Sequence, residues 1–313
     1  MRSIRFGTRR RARISLPVAR ARRVSLTRTS SPRRPRYDYT AVGHVTVDVL
    51  ADGSRRPGGG AFYSALQAAR LGQRTLVITR GVPAELEALL RPYAAELELR
   101  IDAAPRTTTL QSDGVERPQR LLAWAGPIGV PRDLDTAILH LAPVARETAP
   151  RWHGRVAFVG LTAQGLVRTW AREGAQLEQR ELAADEVPRR CDAVVISEAE
   201  RGSAAALERG RGALVAITRA AGPTLVAPAR AQPFEVRVPE AEDVRDDIGA
   251  GDVFAAALFT SLARGEDARA AVELAHAAAA VRIAGEGAAA IGERRAIDSR
   301  LQRARLRAGG APP

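Results

Sequence analysis

Apolar and polar positions along the chain follow two rhythms. Short apolar runs of buried-strand type stand at 75–79, 137–141, 156–161, 193–197 and 214–218. Tyr39–Leu50 reads as one further buried strand. Between and after them lie stretches with helical character: Ala61 to Leu71 closed by Gly72, Glu85–Leu97, and two Ala-rich helices at Asp252–Arg264 and Ala268–Ala284 separated by Gly265. Strand, helix and strand in succession predict an α/β fold with a mainly parallel sheet and crossover helices. Two β-prone segments, Thr107–Gln111 and Gln119–Trp124, are joined through Ser112-Asp113-Gly114. They predict a hairpin that interrupts the alternation and stands off the main sheet, with Thr107-Thr108-Thr109 facing Leu121-Leu122-Trp124. Residues 303–313 read as a loose tail.

Composition narrows the chemistry. The chain has 313 residues and a net charge of +13, and all 48 of its basic residues are Arg; there is no Lys and no Asn. Without Lys there is no Walker A loop, no pyridoxal-phosphate Schiff base and no Ser-Lys hydrolase. Without Asn there is no protein-kinase catalytic loop. A single cysteine, Cys191, excludes internal disulfides and Cys-rich zinc sites, and the four histidines form no HExxH motif. These features suit a reducing, cytoplasmic setting. No apolar run approaches the roughly 20 residues of a membrane span.

The charge is uneven. Residues 1–36 hold 13 Arg and no acidic residue, whereas the remainder balances 35 Arg against 35 Asp and Glu. The first 37 residues are therefore expected to be an Arg-rich disordered tail. Nucleic-acid binding is disfavoured, because Phe6 is the only aromatic residue there and stacking platforms are missing. An organellar transit peptide or a misassigned start would share the composition. A domain over 38–304 and a flexible tail over 305–313 complete the expected organisation.

The chemistry concentrates in Asp246-Asp247-Ile248-Gly249-Ala250-Gly251-Asp252, a glycine-rich turn that runs straight into a helix. Small residues let backbone amides converge, and a helix N-terminus adds positive potential, which together suit a phosphate. Asp252 lies beside those amides, where a carboxylate can take a proton from an attacking hydroxyl. An ordinary Asp N-cap would explain the same residues. A Rossmann fingerprint does not fit, because Phe254 stands where the third glycine belongs.

This stretch resembles the carboxy-terminal signature of the PfkB/ribokinase family of carbohydrate kinases. The family's other signature is recognisable in Gly58-Gly59-Gly60-Ala61-Phe62-Tyr63-Ser64-Ala65 followed by Ala68-Ala69-Arg70-Leu71-Gly72. Val42-Gly43 through Asp48 resembles its first strand, Glu200 its Asn-x-x-Glu motif, and Thr218 to Gly222 its Thr-x-Gly-x-x-Gly nucleotide segment. The resemblance covers about 40 to 300, in order. It implies a ribokinase-like sheet with helices on both faces and a small β lid built from pieces near 46–56 and 105–125. The implied activity is ATP-dependent phosphorylation of a hydroxyl on a sugar or sugar-like molecule. A cyclitol or nucleoside kinase and a non-catalytic ligand-binding protein of the same fold are the alternatives. The implied cofactors are ATP and Mg²⁺, with a monovalent cation as a further option, and the expected state is monomer or homodimer.

The resemblance also implies roles. Asp252 would be the general base, and Gly249, Ala250 and Gly251 would offer amides to the phosphoryl group. Glu200 would organise Mg²⁺, through water. Thr218 and Gly222 would line the nucleotide site, with Ala277 and Ala280 near the base. Asp48, Gly58, Gly59 and Tyr63 would face the acceptor. Several positions depart from the family. Asp247 and Ile248 replace Thr, Ser197 replaces Asn, and Ala220 replaces a glycine. Tyr63 replaces a substrate-binding Asn, which points away from ribose and toward a bulkier polyol ring such as inositol; a packing role for Tyr63 would explain it equally. His44, Trp124, Arg106 and Arg120 are weaker candidates: the favoured readings are a satisfied core histidine for His44 and packing for Trp124, while Arg106 and Arg120 either meet phosphate or coat the surface.

Overall fold

The computed structural model describes residues 34–112, 119–208, 212–237 and 244–309. The expected Arg-rich tail and the hairpin turn at Asp113-Gly114 lie outside those residues, apart from the last few positions of the tail. Pro35–Pro313 forms one unit.

The strands are β1 (Tyr37–Val42), β2 (Thr46–Leu50), β3 (Arg55–Gly58), β4 (Thr75–Gly81), β5 (Leu97–Ala103), β6 (Thr109–Ser112), β7 (Arg120–Ala123), β8 (Leu134–Leu141), β9 (Gly154–Thr162), β10 (Arg168–Thr169), β11 (Glu178–Gln179), β12 (Ala193–Ser197), β13 (Leu214–Arg219), β14 (Gly222–Ala227) and β15 (Phe234–Val236). The helices are α1 (Gly60–Arg70), α2 (Pro83–Leu90), α3 (Ala205–Glu208), α4 (Ala250–Ala263), α5 (Ala268–Ile283) and α6 (Arg294–Gly309). The large sheet runs β15-β14-β13-β12-β9-β8-β1-β4-β5, parallel from β13 to β5 and antiparallel at the β14 and β15 edge.

Alternate residues of the parallel strands feed two hydrophobic layers. Ala41, Val77, Ile138, Val195 and Ala216 pack beneath α1, α4 and α5. Val42, Ile78, Leu139, Ile196 and Ile217 pack against Leu166, Leu182 and Val187 of the 163–191 segment and against Leu207 of the short α3. Helices thus lie on both faces, the long ones on one.

A second sheet, β3-β2-β6-β7, stands where the small β lid is expected, built from 46–50, 55–58, 109–112 and 120–123. The single strand expected over Tyr39–Leu50 is two strands in two sheets. At Gly43 the chain passes so close to Ala142 that a Cβ would collide with its carbonyl oxygen. The three-residue link is then held by side chains. The His44 and Val45 amides donate to Glu147 Oε1 and Thr79 Oγ1, both at 2.8 Å. An unbroken apolar run hides this change of sheet.

Other boundaries also moved. The helix expected over Glu85–Leu97 stops at Leu90, because Pro92 cannot continue it, and a 3₁₀ turn leads into β5. The register pairs Leu110 with Leu121 and Thr109 with Ala123, so the expected facing of three threonines against Leu121-Leu122-Trp124 does not occur. Thr107 and Thr108 instead bond the Val82 amide and the His44 ring. The expected tail at 303–313 is helical to Gly309: Ile297 is buried in the core and Arg305 pairs with Glu273 of α5 at 2.7 Å.

Candidate active site

α1 and α4 begin at the same place, under the lid. Their N-caps are Gly59 at φ 91° and Gly249 at φ 80°, and neither helix has a side-chain cap. Only glycine fits either position. A Cβ on Gly59 would strike the His44 carbonyl, and one on Gly249 would strike the Tyr63 ring. Uncapped first turns leave amides free, and the helix dipoles add positive potential. The Ala250 amide is spent on Asp247 O at 3.0 Å. Those of Gly249, Gly251 and Asp252 have no partner among the described residues. The expected trio of amides is therefore shifted by one member, from Ala250 to Asp252.

These termini open onto a cavity of about 340 Å³ lined by Asp48, Gly59, Tyr63, Ser197, Glu200, Thr218, Gly249, Gly251 and Asp252. Asp252 belongs to the first turn of α4, so the N-cap explanation of this residue fails. Its carboxylate lies against Gly60, where a Cβ would come within 2.7 Å of Oδ1. Burial raises its pKa from 3.8 to about 7; Arg168 opposes the shift, and Glu200 and Asp48 add to it. A buried carboxyl group with a pKa near neutrality thus stands beside the unpartnered amides of the α4 N-terminus.

Asp48 projects from β2, buried, and accepts from Thr46 Oγ1 at 2.6 Å. Burial pushes its pKa up, against the hydrogen bond from Thr46 and the charge of Arg56. Gly58 does not line the cavity; it makes room for this carboxylate, since any Cβ there would overlap it. Tyr63 is fully buried, its ring packed on Gly249 and its hydroxyl unpartnered. Glu200 accepts from the Ser197 amide at 3.0 Å, which leaves one carboxylate oxygen for another ligand. No group of three His, Cys, Asp or Glu able to hold a metal occurs among the described residues. The residues present fit a Mg²⁺ that keeps its waters and is held chiefly by donor phosphates, with Glu200 reached through water.

Thr218 lines the cavity, but Gly222, Ala277 and Ala280 do not. Ala277 points from α5 into the hydrophobic core. Ala220 adopts φ 49°, so the turn retains the backbone shape a glycine would supply. The weaker candidates resolve as structure. His44 is buried and bonded to Thr108, Arg106 pairs with Glu173 on the surface, Arg120 is exposed, and Trp124 packs at a tilt against Trp170 outside this cavity. Burial pushes the Cys191 thiol up to about 12, which leaves it unreactive.

Sequence reasoning missed Arg168. This β10 residue is anchored to Val144 O at 3.1 Å and Gln119 Oε1 at 2.7 Å, and it carries the one basic side chain in the cavity lining. Burial lowers its pKa, countered by Glu200, Asp252, Glu147 and Asp48. Among 48 arginines it had no distinguishing signal. Glu147 was missed as well. It is buried and accepts amides from His44, Val144 and Ala145, joining the lid link to the loop after β8.

The profile of the pfkB family carbohydrate kinases matches residues 172–294. No curated protein matches the chain. Among solved structures it resembles a pyrophosphate-dependent kinase in the ribokinase family complexed with a pyrophosphate analogue and myo-inositol, at 22% identity and TM-score 0.67 over 83% of this chain and 99% of that one. A nucleoside kinase of Methanocaldococcus jannaschii, an archaeal member of the ribokinase family, aligns at 14% identity and TM-score 0.66 over 86% and 99%. Arabidopsis thaliana ribokinase complexed with ribose and ATP aligns at 16% identity and TM-score 0.64 over 86% and 99%. The family resemblance and the α/β fold with its lid are thereby borne out.

Proposed function

We propose that this chain, with its ribokinase fold, transfers a phosphoryl group to a hydroxyl of a sugar, cyclitol or similar polyol. The observation that carries the reading is the meeting of two uncapped helix N-termini with one carboxyl group, Asp252, whose pKa lies near 7. Asp48 accepts a hydrogen bond from the acceptor and orients it. Asp252 takes the proton of the attacking hydroxyl. The Gly249, Gly251 and Asp252 amides receive the phosphoryl oxygens where charge develops. Mg²⁺, when bound with the donor, neutralises phosphate charge. The lid excludes water, which would otherwise compete with the acceptor.

The acceptor reading favours a ring with several hydroxyls over ribose, because the cavity wall carries the bulky Tyr63 ring in place of an amide that could pair with ribose hydroxyls. A second reading concerns the donor. The likeness to pyrophosphate-dependent kinases favours trying a donor without a base beside ATP. A matrix of donors (ATP with Mg²⁺, pyrophosphate with Mg²⁺) and acceptors (myo-inositol, ribose, nucleosides), read by phosphorus NMR, tests both. A phosphorylated polyol is expected. Ligand binding without any phosphorylated acceptor would refute transfer and favour a non-catalytic binding protein.

A further inference from the structure

Arg282, near the end of α5, is the largest fully buried side chain among the described residues. The two Nη atoms of its guanidinium are saturated by oxygens. Nη1 donates to Asp246 O at 3.0 Å and Gly285 O at 3.1 Å, and Nη2 donates to Ile248 O at 2.7 Å and Asp246 Oδ2 at 2.9 Å. The Asp246 carboxylate is itself gripped by the Gly287 amide at 2.9 Å, the Ile248 amide at 3.0 Å and Arg56 of the lid at 2.9 Å. Burial opposes its ionisation, but these donors outweigh burial and hold its pKa down to about 2.

Three main-chain carbonyls and one carboxylate gather on the two Nη atoms, the kind of oxygen set that holds hard cations, while the Tyr63 ring lies 5.5 Å from Cζ and Nε has no hydrogen-bond partner. The oxygen set sits directly behind the turn whose next residue, Gly249, caps α4. A buried charge persists only when it is paired and hydrogen-bonded, and here the cation is covalently part of the chain. The oxygen set therefore does not fit the monovalent cation that the family resemblance left as an option: a guanidinium already occupies it.

We propose that Arg282 is the positioning residue of the anion hole, a tethered cation that holds the 246–249 turn, so that anion binding and turnover need no dissolved monovalent cation. For turnover the inference rests on the kinase reading; for anion binding it stands alone.

The test titrates inorganic phosphate calorimetrically into the full chain in potassium, sodium or choline chloride at equal ionic strength. The parent should bind phosphate with affinities within about twofold across the three salts, and its melting temperature should not follow the cation. Arg282→Met should weaken phosphate binding by about tenfold or more and acquire a response to potassium or methylguanidinium that the parent lacks. A residue that only fills space would not create that response. Arg282→Lys, which keeps the charge, should lie between the two. A parent affinity that rises more than about fivefold in potassium over choline overturns the proposal, and so does Arg282→Met binding phosphate within about twofold of the parent. The salt comparison on the parent needs no variant to fold. If the kinase reading alone is wrong, turnover is absent with every acceptor while the phosphate titration behaves as stated.

Discussion

Replacing Asp252 with Asn should make the protein more stable and less active at once. The carboxyl group has an ordinary pKa of 3.8 when exposed and about 7 in the fold. A raised folded pKa means that the fold favours the protonated form. The associated stability is complete below pH 3.8 and is lost as pH rises through about 7. Each pH unit between the two values costs about 1.4 kcal/mol. The buried carboxyl group therefore costs the fold up to about 4 kcal/mol at pH 8, where it is ionised in both states, and about 2 kcal/mol at pH 5, where only the unfolded chain is ionised. Asn has the same shape without the charge, so it should recover most of that, and the gain should be larger at pH 8. Turnover should fall by about 10² or more while phosphate still binds, because the amides are untouched. Urea denaturation at the two pH values, with initial rates in parallel, reads both effects. An Asn variant no more stable than the parent at pH 8, a gain independent of pH, or turnover within a few-fold of the parent would each refute the reasoning.

Three further outcomes are expected. The kcat/KM of the parent should fall tenfold per pH unit below about 7 as Asp252 protonates, and Arg168→Met should move that limb to higher pH, because Arg168 holds the Asp252 pKa down; a limb that stays in place excludes the coupling. Glu147→Ala should cost about 3 kcal/mol or more in urea denaturation, since it strands buried amides of His44, Val144 and Ala145; a loss below about 1 kcal/mol contradicts the assigned role. Tyr63→Phe should shift the myo-inositol-to-ribose preference by about fivefold while leaving the donor KM within about twofold; an unchanged preference, or ribose as the best acceptor, removes Tyr63 as a selector.

The stretches legible in the sequence were those where local chemistry and fold coincide. Gly249 and Gly59 could be read as turn glycines because only a residue without Cβ fits a left-handed N-cap, a constraint visible in one dimension. Asp252 followed from its place two residues into the helix after Ala250, and the strands at 193–197 and 214–218 from unbroken apolar runs buried on both faces. The β1–β2 break was not legible, since both strands are apolar and the change of sheet is held by Glu147 and Thr79, distant in sequence. One faint signal was present for Arg282, a lone charge inside Ala279-Ala280-Val281-Arg282-Ile283. Its partners at 246, 248 and 285 come from separate segments, and only packing brings them together. Arg168 carried no signal, because an arginine among many acquires meaning only from the four carboxylates the fold gathers around it. Backbone conformation and burial pattern are local properties that residue type constrains directly. The pairing of charges across the site depends on contacts between remote segments, and those the tertiary structure alone decided.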